Sequence, residues 1–244
     1  MTRIGTSVKN LKEITDLLNT VITEVKLKLE TKGINIRAVD PAHVAMINID
    51  VPKESFREYD LDGEEEIAID VERLKNVIKV ARDSDEISIS KEKDKLLFEI
   101  GTVNKKFNLL DPSTVTTPKI PQINSEFYVI ILKSDLEKGL KAAEDVSDAI
   151  RLTLTPDSFR ARSVSDTEES ELILPRDMLK EISCKSTIKS SYPLEYLIRF
   201  IKSVTTTDEL KLSFKDDYPL VISFKFGVGR DIDGTFLLAP RMEQ

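Results

Sequence analysis

Four amphipathic helical stripes recur along this chain at nearly equal intervals, and that repetition constrains the fold more than any other feature. In "SVKNLKEITDLLNTVI", Leu11, Ile14, Leu18 and Val21 fall on one face. In "DVERLKNVIKVAR", Val71, Leu74, Val77, Ile78 and Ala81 do; in "SDLEKGLKAAEDVS", the stripe is Leu136, Leu140, Ala143 and Val146; in "PLEYLIRFIKSV", it is Leu194, Leu197, Ile198 and Ile201. Ser7, Asp70 and Ser134 are N-cap residue types, and Pro193 suits a first helical position. The four starts lie 63, 64 and 59 residues apart. A period of that size reads as one supersecondary unit used four times, each burying its apolar face against copies of itself.

Strand-like runs fill the intervals: "VKLKLET", "GINIRAVD", "HVAMINIDVP", "EIAIDV", "EISIS", "KLLFEIG" and "KKFNLL", then "AIRLTLT", "SFRARSV", "SELILP", "ELKLSF", "LVISFKF" and "GTFLLA". Turns such as "TKG", "TPDS", "KEKD" and "KDDYP" separate them. The expected class is α+β with antiparallel hairpins and few helices. The halves also match: "LKLETKGINIRAVD" lies over "LTLTPDSFRARSVS" at an offset of 125, and Leu74, Ile78, Lys79 and Asp85 lie over Leu197, Ile201, Lys202 and Asp208 at 123. The proline-bearing stretch "DPSTVTTPKIPQINSEF" reads as an extended linker. The expected domains are 1–117 and 127–244, joined by the end of the linker at 118–126.

The tail "TFLLAPRMEQ" sets a problem for this scheme. Proline cannot donate to a ladder, so the last strand stops at or before Pro240, yet an apolar Met242 follows it. The tail is either trivial or held against something.

With 244 residues, 40% hydrophobic, the chain is long enough for two ordinary domains with real cores. The single Cys184 allows no intramolecular disulfide, which suits a reducing compartment. The N-terminal stretch lacks the apolar core of a signal peptide, and no run approaches a membrane span, so no membrane partner is expected.

Catalytic signals are poor. His43 is the only histidine, which excludes a multi-histidine zinc site. There is no phosphate-binding G-x-x-x-x-G-K-[ST] loop, and "GVGRDIDG" has the wrong spacing for a dinucleotide loop. "DLDG" and "DIDG" lack the further oxygen ligands of a calcium loop and read as Asp-Gly turns. No catalytic residue, metal or cofactor is expected.

The helix faces say more. Lys9 and Lys12 share a face of the first helix; Arg73, Lys75, Lys79 and Arg82 mark the second, Lys138 and Lys141 the third, Arg199 and Lys202 the fourth. Those windows carry ten Lys and Arg against nine Asp and Glu, whereas the whole chain carries a net charge of -7. Positive charge is therefore concentrated on the helices. Two readings follow: four ordinary solvated faces, or four stripes facing one nucleic-acid duplex and touching phosphates without reading bases.

Several segments resemble the sliding clamps of archaea and eukaryotes, the PCNA family. They are "GINIRAVDPAHVAMINIDVP", "YDLDGEEEIAIDVERLKNVIKVARDSDEISI", "SSYPLEYLIRFIKS", "DDYPLVISFKF" and "FLLAPRMEQ", in this order and spacing. The resemblance implies two similar domains, each of two β-α-β-β-β units. It implies a ring-forming trimer with helices lining the hole and antiparallel sheets outside. The function implied is a DNA polymerase processivity factor that encircles duplex DNA without sequence specificity and is itself not an enzyme. The implied partners are further copies of the chain in a homotrimer, and DNA polymerase, clamp loader, flap endonuclease and DNA ligase through short peptide motifs. The location implied is the cytoplasm, on the nucleoid, if the source is archaeal, and the nucleus if eukaryotic.

The resemblance also assigns sites. The partner-peptide pocket maps onto Val39, His43, Val44 and Met46, onto Ile120 and Pro121 in the linker, onto Pro219, and onto Leu237, Leu238, Ala239, Pro240 and Met242 in the tail. Read alone, His43 is as compatible with an ordinary surface or core histidine. Subunit contacts map onto "NKKFNLL", with Lys105, Lys106, Phe107 and Leu109, and onto "ESELIL", with Glu169, Glu171, Leu172 and Leu174. The opposite charges of the two segments suit head-to-tail closure, and equally suit gatekeeping of free edges.

Three features depart from the pattern. Gly139 interrupts the third helix, costing about 1 kcal/mol against Ala in an exposed position. Glu144 and Asp145 make that helix net acidic. Glu195 sits beside the basic stripe of the fourth, so DNA contact is expected to rest on Lys79, Arg82, Lys12 and Lys202. Two alternatives remain: one subunit of a heteromeric clamp, and a metal-dependent hydrolase using Asp216, Asp217, Asp231 and Asp233.

Overall fold

The computed structural model describes residues 2–121, 123 and 126–241. The chain divides into two compact units, one formed by Met1–Ile120 with Lys225–Gly234, the other by Pro121–Phe224 with Thr235–Gln244. The four helices are α1 (Val8–Asn19), α2 (Val71–Ile78), α3 (Lys133–Ala143) and α4 (Leu194–Ser203). Ser7 caps α1 by accepting from the Asn10 N–H at 3.2 Å, and Asp70 caps α2 by accepting from Arg73 N–H at 3.0 Å.

Ser134 does not cap α3 as its type suggests. That helix starts one residue earlier, behind Leu132, and α4 starts behind Pro193 rather than at it; neither cap makes a side-chain bond. A backbone device repeated four times explains why these caps are dispensable. The first helical N–H donates to a carbonyl just before or at the start of a neighbouring strand: Val8 to Asp85 at 3.0 Å, Val71 to Thr23 at 2.8 Å, Lys133 to Asp208 at 2.7 Å and Leu194 to Asp148 at 2.9 Å. One orphan donor per helix is thus satisfied by tertiary structure. The four-unit reading of the sequence reappears here as four equivalent hydrogen bonds.

In the first unit the strands are β1 (Arg3–Ser7), β2 (Glu24–Glu30), β3 (Gly33–Val39), β4 (Ala45–Pro52), β5 (Glu58–Asp60), β6 (Glu65–Asp70), β7 (Glu86–Glu92), β8 (Lys95–Ile100) and β9 (Val103–Asn108). They lie in the orders β5-β1-β7-β8-β9 and β4-β3-β2-β6, antiparallel throughout. The strands that follow are β10 (Tyr128–Leu132), β11 (Ala149–Thr155), β12 (Ser158–Val164), β13 (Glu169–Pro175), β14 (Glu181–Ser183), β15 (Ile188–Pro193), β16 (Glu209–Ser213), β17 (Leu220–Phe226) and β18 (Ile232–Leu238), all in the second unit except the last two residues of β17 and the first three of β18. Their orders are β14-β10-β16-β17-β18 and β13-β12-β11-β15. Adding nine to each strand number of the first unit gives the second.

Alternation along the strands builds the cores. In β11, Ile150, Leu152 and Leu154 are fully buried while Arg151 is exposed; in β4, Ile47 and Ile49 are buried. Helices pack in pairs, α1 on α2 and α3 on α4. The two cores differ in content. The second holds an aromatic cluster, with Phe200 stacked on Phe236 at 4.6 Å and meeting Phe224 edge-on at 5.2 Å. The first is mainly aliphatic, with Phe98 buried in it, and leaves a small void of about 80 Å³ among Leu11, Ile14, Leu18, Ile34, Leu74 and Ile89.

Two sequence expectations change. "DIDG" is no turn: Ile232, Asp233 and Gly234 already belong to β18, and the chain reverses earlier, at Gly227 (φ 87°) and Arg230 (φ 54°). Gly139 is not an exposed helix glycine; it is buried against Leu172.

Candidate functional site

The cations expected to face a duplex start from α1 and α2 in the first unit and from α3 and α4 in the second. Lys9, Lys12, Arg73, Lys79, Lys138, Lys141, Arg199 and Lys202 are exposed and Lys75 is half-buried. Arg82 lies beyond the end of α2, in a turn where its N–H donates to the Asp85 carboxylate at 2.9 Å.

Their surroundings divide them. Lys12 is paired with Asp83 at 3.1 Å, Arg73 with Asp70 at 3.6 Å, Lys75 with Glu72 at 3.9 Å and Lys202 with Glu144 at 3.4 Å; Arg199 is paired with Glu195. Two of the three acids that departed from the family pattern, Glu195 and Glu144, therefore neutralise the two cations of α4. Lys79 donates only to the neutral Asn76 side chain, at 2.9 Å. Lys9, Arg82, Lys138 and Lys141 have no acidic partner among the described residues. Between α1 and α2 lies a polar cleft of about 240 Å³, lined by Lys12, Thr15, Asp16, Lys75, Lys79 and Asp83. Burial in it pushes the Asp16 carboxyl up, against the opposing pull of Lys75 and Lys12.

The residues assigned to a peptide pocket fall on both units. The first unit supplies Val39, His43, Val44, Met46 and Ile120; the second supplies Pro121, Pro219, Leu237, Leu238, Ala239 and Pro240. Met242 lies outside the described residues. His43 is exposed and adopts a left-handed backbone conformation, φ 57°, which is costly for a residue with a side chain.

Sequence reasoning missed what holds it there. Asp40, 5% exposed, accepts from the Ala42 N–H at 3.2 Å, Val44 N–H at 2.7 Å and Ala45 N–H at 2.6 Å. Its own carbonyl accepts from His43 N–H at 2.9 Å. The signal was present as Asp-Pro, a turn-initiating pair whose carboxylate bonds the backbone two or more residues on.

In the second unit β18 ends at Leu238, which is fully buried, while Leu237 is 5% exposed and Ala239 and Pro240 are half-buried. Arg241, just after the proline, stays attached. Arg241 donates its N–H to Ser191 at 2.7 Å and its guanidinium meets Asp148 at 2.6 Å. That bond holds the Asp148 carboxyl below its usual range.

The segments assigned to subunit contact are both end strands of their sheets, β9 in the first unit and β13 in the second. Lys106 points outward, but Lys105 turns toward α2 and donates to the Asn76 carbonyl at 2.9 Å. Phe107 stacks on Phe98 at 5.1 Å and Leu109 is half-buried. Glu169 forms a two-pronged pair with Arg162 at 2.7 and 2.8 Å, and Glu171 meets Arg160 at 3.7 Å. Leu172 is half-buried and Leu174 is 2% exposed, so Leu174 belongs to the unit's own core. Exposed apolar side chains gather beside the two edges: Val103 on β9, Ile173 on β13, Val164 opposite Glu169, and Met178 in the turn after β13.

Three of the four aspartates of the hydrolase alternative are engaged separately. Asp216 accepts from Lys189 N–H at 2.7 Å, Asp231 lies 2.5 Å from the Ser55 hydroxyl and Asp233 pairs with Lys225 at 2.8 Å. No cluster of three or more metal-capable side chains occurs among the described residues.

Residues 5–111 match the family described as "Proliferating cell nuclear antigen, N-terminal domain". Over the full length of both chains, the sequence is 58% identical to the DNA polymerase sliding clamp of Thermoplasma acidophilum and 62% identical to that of Picrophilus torridus. Among solved structures, the complex of the C-terminal region of FEN-1 with A. fulgidus PCNA superposes with a TM-score of 0.94 at 27% identity, covering 100% of both chains. PCNA from Thermococcus kodakaraensis superposes with a TM-score of 0.90 at 27% identity, covering 99% of this chain and 100% of that one.

Proposed function

The chain belongs to the DNA polymerase sliding clamp family, and from that membership we propose that three copies close into a ring that encircles duplex DNA and tethers replication enzymes to it. Each copy supplies two clamp domains, 1–117 and 127–244, joined by the linker end at 118–126. The observation that carries the ring is the pair of unmatched sheet edges. β9 ends one sheet and β13 another, each flanked by exposed apolar residues, with Lys106 beside one and Glu169 and Glu171 beside the other. Unpaired edges of this kind favour association, and a head-to-tail contact repeated three times removes both.

The cations on α1 to α4 are then the inner lining, and grip is electrostatic, sequence-independent and salt-sensitive. Peptide docking is assigned, on the resemblance, to the loop around His43, to Ile120 and Pro121, to Pro219 and to the tail. A partner's apolar anchors fill such a site, and its backbone pairs with linker and tail. The FEN-1 segment on A. fulgidus PCNA is the kind of ligand this reading expects. DNA polymerase, DNA ligase and the clamp loader are the further partners, and the location this reading expects is the cytoplasm, on the nucleoid, which the archaeal source of the relatives supports. The clamp hydrolyses nothing in this scheme.

Two measurements test it. Mass measurement of the pure chain across a range of concentrations is expected to give a trimer; a monomer throughout overturns the homotrimer. Loaded onto circular duplex by a clamp loader, the ring is expected to stay bound through a high-salt wash and to leave when the circle is cut. Retention indifferent to cutting overturns encirclement.

A further inference from the structure

α3 approaches the edge strand β13 more closely than a helix bearing side chains allows. A Cβ built on Gly139 would stand 2.7 Å from Leu172 Cδ2, 2.9 Å from Leu172 Cβ and 3.2 Å from Leu172 Cγ. The Cδ2 atom is able to swing away. The Leu172 Cβ is not, because it is fixed to the strand backbone, so any side chain at 139 moves either the helix or the strand.

The other half of the chain serves as an internal control. The offset of 125 that aligns the halves sets Ile14 of α1 against Gly139, and Leu18 against Ala143. The same fold therefore accepts bulky residues at both helix positions. The small residues of α3 are a property of its contact with β13, not a demand of the fold. Alanine is also the better helix former, so helix propensity does not explain a glycine in mid-helix.

β13 is hydrogen-bonded on one side only, to β12. Leu174 is sunk in the core, but Leu172 is half-buried and meets α3 at Gly139. We infer that Gly139 is a positioning residue for ring closure: by letting α3 seat directly on Leu172, it fixes the height of β13, the edge offered to the neighbouring subunit. The inference rests on the ring reading above. An intersubunit ladder is sensitive to such placement because hydrogen bonds weaken steeply with distance and angle. Lys138 and Lys141 flank the glycine, and exchanging it for alanine leaves the charge of the helix unchanged.

The test is a double-mutant cycle read as the trimer–monomer dissociation constant, at a temperature where circular dichroism shows every variant folded. Gly139→Ala is expected to raise that constant about tenfold in the native background. In a Leu172→Gly background, where all three close atoms are gone, the fixed Cβ included, the same change is expected to raise it less than about threefold. An equal effect in both backgrounds, or none in a chain that is itself a trimer, overturns the inference and leaves the ring reading standing. A native chain that stays monomeric overturns both. If Gly139→Ala alone fails to fold, folding restored by Leu172→Gly supports the contact, and failure in both backgrounds overturns it.

Discussion

Tyr59 donates its phenolic proton to the carbonyl of Gly33 at 2.8 Å, with the Glu30 carbonyl 2.7 Å away on the other side of the same turn. Gly33 needs the support. Its φ is +139°, and a Cβ there would lie 2.1 Å from the Val51 carbonyl oxygen. A glycine and a phenol together thus fix the β2–β3 hairpin.

Burial pushes the Tyr59 phenol up to about 12. Its contribution to stability is therefore complete below the ordinary phenol value near 10 and is lost as pH rises toward about 12. Thermal melting across that window is expected to show a fall that Tyr59→Phe lessens, the remainder coming from other raised groups such as the buried Tyr192 phenol. At neutral pH the same substitution is expected to cost about 1 kcal/mol, the usual net value of such a bond. A variant as stable as the native chain at pH 7, with the same alkaline profile, contradicts this role.

Much of the architecture was readable from periodicity. The four helices carry long apolar stripes, and the strands found from sequence are those that alternate cleanly. The missed strands explain themselves. β5 and β14 are three residues long, too short to display a period. β1 ("RIGTS") holds one large apolar residue, and β15 ("IKSSYP") buries serines at 190 and 191 where the pattern expects aliphatics. β10 ("YVIIL") runs straight into α3, so its apolar residues merge with the helix stripe.

The sites were legible by type and less so by state. Lysines and arginines mark a basic face, but pairing of Arg199 with Glu195, and of Lys202 with the distant Glu144, needs coordinates. Likewise Gly139 looked like a helix defect because its partner, Leu172, lies 33 positions along the chain.

Asp40 is expected to set the shape of the His43 loop. Asp40→Ala leaves three N–H groups without their acceptor and is expected to cost about 3 kcal/mol, summed over partly rehydrated donors. Asp40→Asn keeps an acceptor and is expected to cost less. Both are expected to weaken binding of a clamp-docking peptide without altering trimer mass, as titration calorimetry and mass measurement check. Native peptide affinity in Asp40→Ala speaks against the loop as a pocket wall.

Cations already engaged by acids give up a partner when they meet a phosphate, whereas Lys79 and Arg82 do not. Changing Lys79 and Arg82 together to Ala is therefore expected to weaken affinity for linear duplex more than changing Lys12 and Lys202, although each pair removes two charges. For the first pair the slope of log affinity against log salt is expected to fall by about 2, and for the second by less than about 1. Equal slopes overturn the distinction between free and neutralised cations.

Arg241, the residue after Pro240, is held rather than trailing. Proline ends the ladder after Leu238, and Arg241 then ties the chain to Ser191 and Asp148. Since the Asp148 carboxyl is held below its ordinary value by Arg241, the tie persists above about pH 4 and loosens as pH falls through the lowered value. Asp148→Asn is expected to remove it at all pH values. Hydrogen exchange at Ala239 and Arg241 is then expected to quicken. Affinity for a docking peptide is expected to drop about threefold to tenfold, because the tail must be ordered during binding instead of before it. Pro240→Ser is expected to weaken binding too, through the cleft itself, while leaving the Arg241 tie and the trimer intact. If Asp148→Asn quickens exchange and leaves affinity unchanged, the anchored tail is a structural trim and the docking surface does not depend on its order.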